Sequence, residues 1–199
     1  MVFVSTDSFR LAEKKIKNNN DLKPLIIPFK NALEVVRVFG EFDGDINITY
    51  DENQIMFENN QILLISRLIN GIYPDYLQIM PNDFLTKIKL KKDDFIQALK
   101  ISNVFSNKFS QVDLNISTKD GLFEVVSKNN NIGESKVIIK SDISGDNVSI
   151  SFSVKYILEC FQSIKGDNIF LGLNGKGKPL FIKDQNNNNF SYIVMPVNR

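Results

Sequence analysis

An α+β fold made by repetition is what this sequence predicts, and three observations carry that reading. Short segments of alternating apolar and polar residues recur along all 199 residues, too brief to be helices. Three longer segments instead space their apolar residues as a helix does. Each helical segment is preceded by one apolar run and followed by three short ones, so strand, helix, strand, strand, strand occurs three times. The helix starts lie roughly 60 residues apart.

The first unit opens with the run Leu25-Ile-Ile27 as its strand. Pro28 follows, a residue tolerated in the first turn of a helix. Ala32, Leu33, Val35, Val36 and Phe39 then fall at helical spacing, with Gly40 as a stop. Strands are expected at 46–50, 55–57 and 62–66, divided by the turn residues Asp51-Glu-Asn53 and Glu58-Asn-Asn60. In the second unit the strand is 86–90, and Asp93 is expected to cap a helix carrying Phe95, Ala98, Leu99 and Ser102 on one face. Strands at 112–116, 122–127 and 135–141 follow, the first two joined by the hairpin turn Lys119-Asp-Gly121. The third unit gives a strand at 148–152, a helix at 154–164, and strands at 169–173, 179–182 and 190–195. Ahead of the first unit, 2–7 and 11–16 read as two further strands. The segment Tyr73-Pro-Asp-Tyr-Leu-Gln-Ile-Met-Pro81, with two prolines, suits an interdomain linker. Two domains are expected: 1–81, the second part of one domain plus the linker, and 82–199, a complete one made of two units.

Composition excludes several function classes. Histidine is absent, so Ser-His-Asp and Cys-His catalysis and the commonest metal ligand are missing. The 24 basic and 23 acidic residues nearly cancel, which argues against a uniformly basic nucleic-acid binder but leaves room for charge segregated by face. The single cysteine, Cys160, sits on the apolar stripe of the third helix and reads as a reduced core residue. Without an internal disulfide, a cytoplasmic setting is expected. No apolar run reaches the roughly 20 residues that cross a bilayer, and the N-terminal residues do not form a signal peptide. Asn174-Gly-Lys-Gly-Lys-Pro179 lacks the Gly-Lys-Ser/Thr ending and following helix of a phosphate loop, and reads as a hairpin turn. Asp93-Asp94 and Asp142 lack the spacing of a metal site. No catalytic residue, metal or cofactor is expected, and the chain reads as a binding protein. The asparagine tracts 18–20, 129–131 and 186–189 fall between elements, as loop tips do.

Several segments, in order along the chain, carry a family resemblance. Ser5-Thr-Asp-Ser-Phe-Arg-Leu-Ala12 resembles the pattern Ala-Thr-Asp-Gly-His-Arg-Leu-Ala of bacterial sliding clamps, the beta subunit of DNA polymerase III. Ser66-Arg-Leu-Ile-Asn-Gly-Ile-Tyr-Pro-Asp-Tyr76 is similar to that family's Ser-Arg-Leu-Ile-Glu-Gly-x-Phe/Tyr-Pro-Asp-Tyr, and Tyr192-Ile-Val-Met-Pro-Val197 to its Tyr-Val-Val-Met-Pro-Met ending. Gly133-Glu134 and Phe152-Ser-Val-Lys-Tyr156 also sit in family-like places. The resemblance implies a DNA-clamp fold, with antiparallel sheets outside and helices on the inner face. It also implies a replicase processivity factor: a head-to-tail ring of two three-domain subunits around duplex DNA. The present chain would hold the last domain and the second part of the middle one, with the N-terminal clamp domain absent and no ring closure expected. The rival reading is an oligomerisation or scaffold module without DNA contact.

The resemblance further implies partners and sites. Duplex DNA, the DNA polymerase III alpha subunit, the clamp loader and other clamp-motif proteins would bind, with homodimerisation when full length and no membrane. Partners insert a Gln-Leu-x-Leu-Phe-like segment into a cleft between the middle and last domains. Matching motifs puts Thr6, Ser8, Phe9, Arg10 and Leu11 on one wall, with Pro74, Gln78 and Ile79 from the linker. Ser153 and Tyr156 come from the third helix, and Ile193, Met195, Pro196 and Val197 from the C-terminal strand. A plainer reading makes Leu11, Ile193 and Met195 core residues of their strands. Ser8-Phe9 replaces the family's Gly-His, Ser153 stands where Asn is common, and the chain ends Asn198-Arg199 instead of Arg-Leu. The helices would face DNA through Lys30, Arg37, Lys92, Lys100, Lys155 and Lys165, diluted by Glu34 and Glu159. Val104 and Phe105 match the last domain's half of the subunit interface and are expected to be exposed.

Overall fold

The computed structural model describes residues 1–17, 23–106 and 109–197, which form fourteen strands and three α-helices among the described residues. Two compact units are present: Met1–Asn19 with Ile79–Arg199, and Asn20–Gln78.

In the larger unit β1 (Val2–Thr6) and β2 (Arg10–Lys15) form a hairpin. The smaller unit holds α1 (Phe29–Phe39) and the three-stranded antiparallel sheet β3 (Asn47–Tyr50), β4 (Gln54–Glu58) and β5 (Leu63–Arg67), in that spatial order. The larger unit resumes with β6 (Thr86–Lys91), α2 (Lys92–Val104), β7 (Gln111–Ser117), β8 (Leu122–Asn129), β9 (Gly133–Ile139) and β10 (Ser141–Gly145). It ends with β11 (Val148–Ser153), α3 (Val154–Cys160), β12 (Asn168–Leu173), β13 (Leu180–Asp184) and β14 (Phe190–Val194).

Alternation explains the strands. In β6, Thr86, Ile88 and Leu90 are buried while Lys87, Lys89 and Lys91 face out, so one side packs and the other is solvated. The helices pack by stripe. Phe95, Ala98, Leu99 and Ser102 of α2 are buried, as their spacing predicts, and the apolar ones join Val154, Ile157 and Cys160 of α3 in one core. The Phe95 ring meets Phe161, just beyond α3, edge-on at 6.0 Å.

The two units of the C-terminal half exchange their opening strands. β6 opens one unit yet pairs with β12 of the other; β11 opens the other yet pairs with β7 of the first. The sheets are therefore β1-β2-β14-β13-β12-β6-β10 and β11-β7-β8-β9. Neither unit is a self-sufficient layer.

Four expectations are corrected. Leu25–Ile27 is not a strand; Leu25 and Ile27 pack against the core of the smaller unit, and the Ile69 N–H donates to the Ile26 carbonyl at 2.9 Å. Ser141–Gly145 is a strand that its sequence conceals, paired along the edge of β6. Asp93 does not cap α2, which starts at Lys92 with Lys91 as N-cap. Asp93 and Asp94 instead lie in the first turn, where the helix dipole favours acids. Finally, α3 stops at Cys160 and continues as one 3₁₀ turn over 161–163.

Candidate functional site

The site is assembled from three segments of the larger unit: the β1–β2 turn, the start of α3 and the chain after β14. The turn is held by its own side chains. The Thr6 hydroxyl donates to the Arg10 carbonyl at 2.7 Å, and the Asp7 carboxylate accepts from the backbone N–H groups of Phe9 (3.1 Å) and Arg10 (3.0 Å). Ser8 sits at φ 73, a left-handed conformation that glycine adopts without strain. The residue after the turn, Phe9, therefore projects with 59% of its surface exposed.

Pairing then brings the distant segments together. β2 lies against β14, with Leu11 opposite Ile193 and Arg10 opposite Val194. The Met195 N–H extends this edge by donating to the Phe9 carbonyl at 2.8 Å, and the Val197 N–H donates to the Ser151 carbonyl at 2.9 Å. Residues 195–197 thus run from the hairpin to the end of β11, which leads through Ser153 into α3.

Arg10 is the hub. Its guanidinium is ion-paired with Asp7 at 2.9 Å and with Glu159 of α3, and stands over the Tyr156 ring 4.7 Å from the centroid. Phe9 stacks on the same ring, 6.1 Å between centroids and 25° between planes. Burial alone would lower the Arg10 pKa, but hydrogen bonds to Glu159 and Asp7 outweigh it and raise it. Burial likewise pushes Asp7 up, and the bonds from Arg10 and the Phe9 and Arg10 amides hold it below the usual carboxylate value. The Tyr192 hydroxyl donates to the Tyr156 carbonyl at 3.0 Å, and burial pushes that phenol up to about 12, so it stays protonated. With its charge satisfied by two acids, Arg10 orients Tyr156 and Phe9 and is not a free cation for an acidic ligand. The surface so made is apolar and aromatic, edged by backbone groups, which suits an extended peptide.

The expected wall residues Thr6, Ser8, Phe9, Arg10, Ser153, Tyr156, Met195, Pro196 and Val197 gather here and are half-buried or exposed. Leu11 and Ile193 are corrected: at 2% and 1% exposed they are cross-strand core partners under the surface, as the plainer reading had it. Ile79, at the end of a 3₁₀ turn, is exposed. Pro74 and Gln78 belong to the smaller unit, where the Gln78 amide donates to Asp75 at 3.1 Å. Asn198 and Arg199 lie outside the described residues. Motif matching does not find Asp7 or Glu159 as parts of the site, and it places Glu159 on a basic face instead. The position of Glu159 three residues after Tyr156, on the same side of α3, is the signal that could have found it.

Of the basic helix residues, Lys30, Arg37, Lys100, Lys155 and Lys165 are exposed. Arg37 is bound to Glu34 at 2.6 Å. The Lys92 ammonium donates to the Ile164 carbonyl at 3.1 Å, which ties the start of α2 to the end of the α3 segment. Val104 is exposed, whereas Phe105 is half-buried beside Gly133, which corrects half of that expectation. The Asn174–Pro179 loop is the β12–β13 turn, with Gly175 and Gly177 at positive φ. No helix among the described residues is long and apolar enough to cross a membrane.

Comparison with known proteins gives this geometry a family. Residues 77–198 match the C-terminal domain of the DNA polymerase III beta subunit, and residues 1–75 match the central domain of the same protein. The chain is 28% identical to a beta sliding clamp of Staphylococcus epidermidis and 26% identical to one of Staphylococcus aureus. In each case 99% of the chain is covered but 53% of the relative, so it spans about half the length of the curated relatives it matches. Among solved structures, the sliding clamp of Bacillus subtilis superposes with a TM-score of 0.91 at 27% identity, over 100% of this chain and 53% of that one. A Bartonella birtlesii sliding clamp bound to griselimycin gives 0.90 at 27%, over 98% and 54%. The family boundary near residue 76 does not coincide with the compact units, because β1 and β2 are hydrogen-bonded into the sheet of the C-terminal half. The chain belongs to the DNA polymerase III beta subunit family.

Proposed function

We propose that this chain is the peptide-docking part of a bacterial replicative processivity clamp. In the whole protein, a dimeric ring would encircle duplex DNA, slide, and hold the DNA polymerase III alpha subunit, the clamp loader and repair proteins through short hydrophobic segments. Its domains would follow the family boundary, the middle-domain portion and linker to residue 81 and the last domain from 82. The role is tethering, with no catalysis and no cofactor, in the cytoplasm. The exposed lysines on α1, α2 and α3 supply sequence-independent attraction to phosphate.

The single observation that carries this reading is the meeting of the β1–β2 turn, the start of α3 and residues 195–197 in one aromatic, apolar surface. Met195 is half-buried within it, and a thioether there adapts to differing ligand side chains. Fluorescence anisotropy with a labelled Gln-Leu-x-Leu-Phe peptide tests it. Saturable binding is expected, weakened by about tenfold in Met195→Ala, or ~1.4 kcal/mol. Absence of saturation, or identical affinity in the variant, would overturn the site.

A further inference from the structure

Strand alternation divides β6 between two faces. Ile88 and Leu90 enter the core shared with α2 and α3, and Lys87, Lys89 and Lys91 stand exposed on the opposite side of the sheet. At a strand rise of roughly 3.4 Å per residue, these lysine positions recur about every 7 Å. Cross-strand register extends the same face: Lys89 lies opposite Phe170 of β12, and Phe170 lies opposite Lys183 of β13. On β10 the face presents Asp142, opposite Lys89. Asp83, just ahead of β6, pairs with Lys87 at 3.0 Å, and the Lys183 ammonium donates to the Asn188 side chain at 2.6 Å. Lys89 and Lys91 make no ion pair among the described residues.

Two phenyl rings lie among these lysines. Phe170 is half-buried with the Lys183 ammonium 5.6 Å from its centroid, and Phe84, also half-buried, meets it edge-on at 5.3 Å. Phe84 rests on the sheet because Gly172 beneath it has no side chain; a Cβ there would come within 2.3 Å of the ring. Asn174 fixes the neighbouring backbone: its amide donates to the Asp83 carbonyl at 2.8 Å, and its side-chain oxygen accepts from the Leu85 N–H at 2.9 Å. All of these residues belong to the larger unit and fall within the span matched to the C-terminal domain, so that domain alone builds the patch. Regularly spaced cations with rings between them match an unpaired nucleic-acid strand, lysines meeting successive phosphates and rings meeting exposed base faces. A duplex keeps its base faces stacked, and an acidic peptide would use the charge alone. We propose that the face of the seven-stranded sheet turned away from α2 and α3, around Lys87, Lys89, Lys91, Phe170 and Lys183, binds single-stranded nucleic acid without sequence preference. The site is distinct from the helix lysines assigned to duplex DNA and does not rest on the peptide-docking surface.

Fluorescence anisotropy of the full chain with a labelled oligothymidylate tests this. Saturable binding is expected at low salt, weakened about tenfold or more when Lys89→Glu and Lys91→Glu are combined. Lys119→Glu, at an exposed lysine on the β7–β8 turn, is expected to leave it unchanged. The slope of log affinity against log salt is expected to shrink by roughly 0.7 for each of Lys89→Gln and Lys91→Gln. Phe170→Leu, with folding checked by circular dichroism, weakens binding and leaves that slope unchanged. Absence of saturation overturns the proposal, and so does tighter binding of a duplex of the same length. Displacement by oligoglutamate of equal charge, at the same concentration as by unlabelled oligothymidylate, also overturns it, because the patch would then recognise charge alone. Loss of binding in Lys155→Glu but not in Lys89→Glu would place the strand on the helices and equally overturn it.

Discussion

Arg10 shows how one side chain can organise a surface while its own charge is more than balanced by two neighbouring acids. Held by Asp7 on its own turn and Glu159 from α3, it fixes the hairpin to the helix and aligns Tyr156 with Phe9. The consequence for pH follows from Asp7, whose folded pKa lies below its ordinary 3.8. A carboxyl depressed by folding contributes stability above its unfolded value, and that contribution is lost as pH falls through the folded one. Melting temperature is therefore expected to fall between about pH 5 and the acid limit more steeply in the native chain than in Asp7→Asn. Equal slopes would remove Asp7 from the account. The family resemblance points to Phe9, Arg10 and Tyr156 in the sequence. It does not show the bridge to Glu159, because 149 residues separate the partners, which meet through the β2–β14 pairing and the packing of α3 on β14.

At the scale of elements, periodicity is most legible where burial is one-sided. Thr86–Lys91 and the buried face of α2 can be read directly, since each alternates or repeats against a single core. Ser141–Gly145 cannot, having one large apolar residue, Ile143; it is a strand because β6 offers an edge. Its last residue shows how tightly that edge is built. Gly145 has φ +100, and a Cβ there would lie 1.8 Å from the Leu85 carbonyl oxygen. Gly145→Ala is expected to destabilise the C-terminal half by about 2–4 kcal/mol through backbone strain and displacement of the 85–86 peptide. A denaturant midpoint unchanged from the native chain would contradict this. Leu25–Ile27 departs in the opposite direction: three consecutive apolar residues favour a strand, but a strand exists only when a neighbour is present to pair with it.

For the whole molecule, the threefold repeat is visible in the sequence, while the exchange of opening strands between units is not, since nothing local records which sheet a strand joins. The two compact units differ in the cores they enclose. The larger buries α2, α3 and both its sheets around one continuous cluster, and the smaller has three fully buried apolar residues in its core. Native-state hydrogen exchange is expected to release the β3–β5 amides well before those of β7, β8 and β12. Exchange of both groups at one rate would show a single cooperative block. The β2–β14 ladder has a further consequence in time. Leu11 and Ile193 are neighbours in space but about 180 residues apart in sequence, so during synthesis the hairpin is made early and its docking strand late. At ribosomal speeds of roughly 5–20 residues per second, that leaves the inward side of β2 waiting on the order of ten seconds or more. The surface proposed for peptide docking is thus completed last, because it does not exist before the sheet has closed.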